Sequence, residues 1–175
     1  MGMSDFAHRL PIDQIRDGAR MDLTADEAER AAVAERLGLI GLHRFEAHVT
    51  LRREGRIVDC AGRIKAQLSQ ACIASGEPVA AAIDEAFAIK FVPAPVVEGP
   101  EPEIELGEGD LDTVIHDGQV IDLGEAVADS LALALDPYPR GPKADEALKA
   151  AGVLSEAEAG PFAALAKLKG GSGGK

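Results

Sequence analysis

Tryptophan is absent, tyrosine occurs once and the aromatic share is only 3%. The core must therefore be aliphatic, and the stacked-aromatic surface that many single-strand nucleic-acid binders use is missing. Cysteine is nearly absent as well: Cys60 and Cys72 cannot make a disulfide framework, and free thiols in a reducing cytosol are the expectation. No apolar run approaches the roughly 18 residues of a membrane span, and the N-terminal stretch lacks the apolar core of a secretory signal. From Glu98 to Asp129 there are eleven acids and no Lys or Arg. These absences predict a soluble, cytoplasmic chain with no membrane or DNA partner.

Net charge is −12, which argues against a general phosphate-binding surface. The charge is uneven, however. Residues 1–92 hold 12 basic and 14 acidic residues, whereas residues 93–175 hold 6 and 16. Only the first part can carry a local basic face. The length, 175 residues, suits one domain, which we place at 1–140. Residues 141–175 read as a linker, a short amphipathic hook (Pro161–Lys169) and a Gly-rich tail.

Thr24 and Glu27 are spaced as a capping box for a helix of about 13 residues that stops at Gly38. Three alternating segments follow. Phe45, Ala47, Val49 and Leu51 oppose Arg44, Glu46, His48, Thr50 and Arg52. Val58, Cys60, Gly62, Ile64, Ala66 and Leu68 oppose Asp59, Arg63, Lys65, Gln67 and Ser69. Val79, Ala81, Ile83, Phe87, Ile89 and Phe91 oppose Asp84 and Lys90. This period of two predicts strands with one buried face, and the short glycine-bearing connections predict an antiparallel meander. Glu85 breaks the apolar series, which predicts a bulge or strand end there. Residues 93–109 read as an exposed loop. Asp112–Ile121 adds a strand with a turn at Asp117-Gly118, and Asp122 with Glu125 caps a second helix whose apolar positions are Val127, Leu131, Leu133 and Leu135. Asp136-Pro-Tyr-Pro ends that helix, because a residue before proline leaves the helical region. The expected fold is α+β: an antiparallel sheet of at least three strands packed with two helices.

The residues suggest little catalysis. His8, His43, His48 and His116 show no ligand spacing, and a strand would point His43 and His48 to opposite sides. Cys72 lies at a strand end, but its sequence neighbours supply neither a base nor a positive charge; Cys60 falls on the inward face as a small hydrophobe. The Gly-Gly-Ser-Gly-Gly string near the C-terminus does not follow a strand, so it is no phosphate loop. Arg52, Arg63, Lys65 and Lys90 come from three successive strands and share one face; with Arg53 and Arg56 from the hairpin turn they form a modest basic patch, the candidate RNA contact. A solvated outer face is the plainer reading of the same cations. Glu98, Glu101, Glu103, Glu105, Glu108 and Asp110 form a candidate docking loop for a basic protein.

Two strings carry a resemblance. The segment Gly62-Arg-Ile-Lys-Ala-Gln-Leu-Ser-Gln-Ala-Cys72, followed by Glu77-Pro78-Val79 and Phe87-Ala-Ile-Lys-Phe91, is the first. The second is Ile121-Asp-Leu-Gly-Glu125 with Leu131 through Asp136-Pro137-Tyr138-Pro139-Arg140. With the closing Pro161–Lys169 they resemble the YceD family of large ribosomal RNA subunit accumulation proteins, in its alphaproteobacterial form. The resemblance implies a non-enzymatic factor, without cofactor, that supports synthesis, processing or accumulation of large-subunit (23S) rRNA. It also implies large-subunit rRNA or its precursor as partner, with basic ribosomal proteins or assembly factors beside it. Many members carry Cys-x-x-Cys at Cys72; here Ser75 takes the second place and no later cysteines exist, so a four-thiolate zinc site does not carry over. The alternatives are an adaptor that docks a basic partner through the acidic loop without touching RNA and, more remotely, an enzyme using Cys72.

Overall fold

The computed structural model describes residues 6–94 and 112–153. The described fold is α+β, with two sheets and three α-helices. In chain order the elements are β1 (Arg9–Pro11), a 3₁₀ turn (Ile12–Gln14), β2 (Ala19–Thr24), α1 (Glu27–Arg36), β3 (Gly41–Glu54), β4 (Ile57–Ala71), β5 (Pro78–Pro93), β6 (Thr113–His116), β7 (Val120–Asp122), α2 (Leu123–Ala134) and α3 (Ala144–Ala150). The chain divides into two compact units. One comprises residues 1–70 and 80–137, the other residues 71–79 and 138–175.

The first unit is built on a five-stranded sheet in the order β2-β3-β4-β5-β6, and β1 pairs with β7 in a separate two-stranded ladder. The alternation read from sequence sets the faces. Phe45, Ala47, Val49, Leu51, Val58, Cys60, Ile64, Ala66, Leu68, Ile89 and Phe91 all lie in one buried cluster. Val33 and Ala34 of α1 join that cluster, as do Leu123, Ala126, Val127, Ala128 and Leu131 of α2. The β3–β4 register is set by a two-residue turn with Gly55 at φ 61°, the positive value that a type II′ hairpin requires at its first central position.

Several details differ from the sequence expectation. α1 is capped by Asp26: its carboxylate accepts from Glu29 N at 2.8 Å, and Glu29 returns the bond to Asp26 N at 2.8 Å. Thr24 is unavailable as a cap because it is the last residue of β2, paired with Glu46. The helix is accordingly 10 residues long. At Glu85, β5 continues from Pro78 to Pro93, and Ile83 and Phe87 on either side both pack against the core. The strand thus keeps its facing through the acid. The Asp117-Gly118 turn is present, with Asp117 Oδ1 accepting from Gln119 N at 2.8 Å. Its flanking strands do not pair as a hairpin, however: β6 runs parallel to β5 and β7 joins β1. Leu133 is 80% exposed, because two residues of helix carry it about 200° around from buried Leu131. The span 144–150, read as linker, is α3. The hook at 161–169 and the Gly-rich tail lie outside the described residues.

The N-terminal segment is held to α2 by a close backbone approach. Leu123 N donates to His8 O at 3.0 Å, and Asp122, the helix N-cap, accepts from Glu125 N at 3.1 Å and from His8 N at 3.2 Å. A Cβ on Gly124 would lie 1.9 Å from Phe6 O. Because the obstruction is main chain, Gly124→Ala should cost about 1–3 kcal/mol, the usual range for overpacking. A urea or thermal melt with an unchanged midpoint would show that this crossing contributes nothing.

Candidate functional site

The outward face of the sheet carries the polar half of the alternation. Six cations (Arg20, Arg44, Arg52, Arg63, Lys65, Lys90) stand there against five carboxylates (Asp22, Glu46, Glu54, Asp59, Asp84) on β2–β5. In a chain of net charge −12 this surplus is local. Arg52, Arg63, Lys65 and Lys90 do share this face, but their surroundings divide them. Arg63 forms an ion pair with Asp84 and also donates to Asp84 O at 3.1 Å. Lys65 sits opposite Glu46, whose carboxylate is held in a two-pronged pair by Arg44 at 2.8 and 2.7 Å. That hydrogen bonding keeps the Glu46 carboxyl below its ordinary pKa.

Among the described residues Lys65 forms no ion pair, and neither do Arg52 and Lys90; what sets Arg52 and Lys90 apart is their position. Both line a groove of about 910 Å³ whose other side chains include Thr50, Ala61, Ala88 and two carboxylates, Asp59 and Asp112. Small residues at neighbouring outward positions of β3, β4 and β5 leave the depression, and the two long cationic side chains flank it. Such a groove can receive a phosphodiester chain, with small side chains admitting the backbone and cations meeting the charge. It contains no activated nucleophile. The thiol of Cys60 points to the buried side, where desolvation pushes its pKa up to about 12.

The hairpin arginines do not extend this patch. Arg53 turns back to Gly55 O at 2.9 Å, and the Arg56 guanidinium covers Gly118, with Arg56 O bonded to His116 Nε2 at 2.9 Å. The histidines are dispersed: His48 Nδ1 meets Asp22 at 2.6 Å, and His43 falls at the register shift of β3 and meets Ser69 Oγ at 3.2 Å. Among the described residues no three His, Cys, Asp or Glu side chains group as metal ligands. The acidic positions Glu98, Glu101, Glu103, Glu105, Glu108 and Asp110 lie outside the described residues.

The two diagnostic strings fold against each other, a contact that sequence reading missed because 66 residues separate some partners. In the second unit, Ile73 N donates to Pro139 O at 2.9 Å and Cys72 N to Glu77 O at 2.8 Å, while Lys143 reaches Glu77 at 2.9 Å. Pro78 opens β5, Pro139 is buried and Tyr138 is 70% exposed. In the first unit, Gln70 Nε2 donates to Asp136 O at 2.8 Å, one residue before Pro137. Cys72 is 3% exposed and accepts from Gly141 N at 3.4 Å. This donor and those of Ser75 and Ala74 bring its pKa down to about 7, burial being the smallest influence. One thiol beside the Ser75 hydroxyl does not furnish the donor set of a structural zinc site.

The folded and polar surfaces described so far define a small α+β protein with a locally cationic sheet face. A family model described as large ribosomal RNA subunit accumulation protein YceD matches residues 60–169. The chain belongs to the YceD family, whose description ties it to accumulation of the large ribosomal RNA subunit. Comparison with curated proteins and with solved structures gives no match. No helix among the described residues is long and apolar enough to cross a membrane.

The cradle around Cys72 has a pH signature. Its folded-state pKa of about 7 lies below the reference thiol value of 9.0, so the stabilisation is fully present above the unfolded value and is lost as pH falls through about 7. The stability advantage of wild type over Cys72→Ala should therefore widen between pH about 6 and about 9. A gap in urea midpoints that stays constant over this range would refute the thiolate cradle.

Proposed function

We propose that this protein is a non-enzymatic factor supporting synthesis, processing or accumulation of large-subunit rRNA, and that it holds this rRNA or its precursor on the outer sheet face. The observation that carries the reading is the groove flanked by Arg52 and Lys90, taken with membership of a family described by large ribosomal RNA subunit accumulation. The chain is acidic overall, so RNA is attracted only where cations outnumber carboxylates, and repulsion elsewhere limits contact to that face. Binding through few phosphates is weak, salt-dependent and insensitive to base sequence. Specificity for one rRNA region then comes from RNA shape or from a second partner.

The groove ranks the four cations. Arg52 and Lys90 meet phosphate, whereas Arg63 and Lys65 mainly balance Asp84 and Glu46 within the face. The double variant Arg52→Glu/Lys90→Glu should bind a labelled large-subunit rRNA fragment about tenfold or more weakly, and its log affinity should fall less steeply with log salt, by roughly 1.4 in slope for two lost single-strand contacts. Lys65→Gln should have the smaller effect. Filter binding across a salt series gives both quantities. Equal retention of rRNA by wild type and the double variant, or no retention by wild type at low salt, would sink this reading.

A further inference from the structure

The opposite side of β5 carries a different surface, and two features that the fold leaves unexplained meet there. Glu85 occupies an inward-facing position between Ile83 and Phe87, where the period of the strand calls for an apolar side chain. Leu133 projects from α2 at 80% exposure. Both line one cleft of about 400 Å³, together with Phe87, Asp112, Ser130 and Ala134. The cleft thus has an apolar wall formed by Phe87 and Leu133, two carboxylates, and no cation among its lining residues.

We propose that this cleft docks a cationic amphipathic segment of a partner protein, with an apolar side chain laid between Leu133 and Phe87 and Lys or Arg side chains meeting Glu85 and Asp112. Charge complementarity selects this occupant. A carboxylate at the margin of an apolar cleft repels acidic surfaces and strengthens its hold on an incoming cation as water is excluded. A second copy of this chain, at net charge −12, approaches against that repulsion. The net charge also speeds encounter with basic partners generally. The inference goes beyond the RNA reading and does not depend on it: Asp112 borders both sites, but Glu85 and Leu133, which carry the test, do not line the Arg52–Lys90 groove.

The test uses the full-length protein and a fluorescein-labelled synthetic helical peptide with leucines along one face and lysines on the other. The control peptide keeps the lysines and replaces the leucines with serine. Fluorescence anisotropy should show saturable binding of the leucine–lysine peptide alone. Leu133→Ser and Glu85→Lys should each weaken it about tenfold, since an anchor at the centre of a small interface carries much of its affinity. Both side chains are exposed, so unchanged melting curves should accompany the loss, and rRNA retention by the same variants should match wild type. Equal binding of the two peptides, or full binding by both variants, would overturn the proposal. Self-association of wild type in sedimentation that Leu133→Ser abolishes would also overturn it, by assigning the cleft to a second copy.

Discussion

A one-residue slip between β3 and β4 would carry Val58, Cys60, Ile64, Ala66 and Leu68 into water and drive Asp59, Arg63 and Lys65 into the core. The register between these strands is therefore the constraint on which the other surfaces depend. Two features hold it. The apolar faces of both strands reward only one facing, and the Gly55 turn fixes Glu54 opposite Ile57. From that pairing Arg52 meets Asp59, His48 meets Arg63 and Glu46 meets Lys65. The charge pattern of the outer face is thus a consequence of core packing. It can be altered residue by residue without rebuilding the fold, because these side chains contribute little to burial.

Electrostatics then differentiate positions that look equivalent in composition. Exposed ion pairs are worth little to stability, typically under about 1 kcal/mol, but they decide which cations remain available to a ligand. Arg63 is occupied by Asp84 and Arg44 by Glu46. Arg52 and Lys90 flank a floor of small side chains. An acidic protein can in this way present cations locally, here Arg52 and Lys90 beside Asp59 and Asp112, while repelling polyanions elsewhere.

Much of this fold was legible in the sequence, for a physical reason: strands buried on one face must alternate, and helices must be capped. The inward residues of β3 and β4 follow directly, as do the N-cap at Asp122 and the stop before Pro137. What escaped depends on partners distant in sequence. The short strands β1 and β7 carry too few residues to display a period; β2 does alternate, Ala19, Met21 and Leu23 against Arg20, Asp22 and Thr24, but the capping box read at Thr24 hid it, and the parallel placement of β6 beside β5 has no local signal. Thr24 failed as a cap because a neighbouring strand claimed its backbone. For the candidate site, the shared face of Arg52, Arg63, Lys65 and Lys90 could be read from parity alone, whereas their different surroundings (Arg52 and Lys90 at the groove, Arg63 paired, Lys65 opposite Glu46) could not. Asp84 and Glu46 as neutralising neighbours, and Ala61 and Ala88 as a common floor, emerge only when strands are set side by side.

The turn at Cys72 shows the same dependence on distant chain. Its sequence neighbours offer the sulfur no positive charge, yet Gly141, far along the chain, supplies a main-chain donor. Backbone groups also hold the turn itself: Gly76 N donates to Cys72 O, Cys72 N to Glu77 O and Ile73 N to Pro139 O. These bonds meet the polar demands of the segment internally. Serine at position 75 is compatible with these bonds, its hydroxyl accepting from Glu77 N at 3.3 Å. The glycine–proline-rich string after α2 acquires a structural reason as well: Pro139 O accepts from Ile73 N, and Gly141, whose absent Cβ would sit 3.9 Å from that of Cys72, brings its N–H to the sulfur.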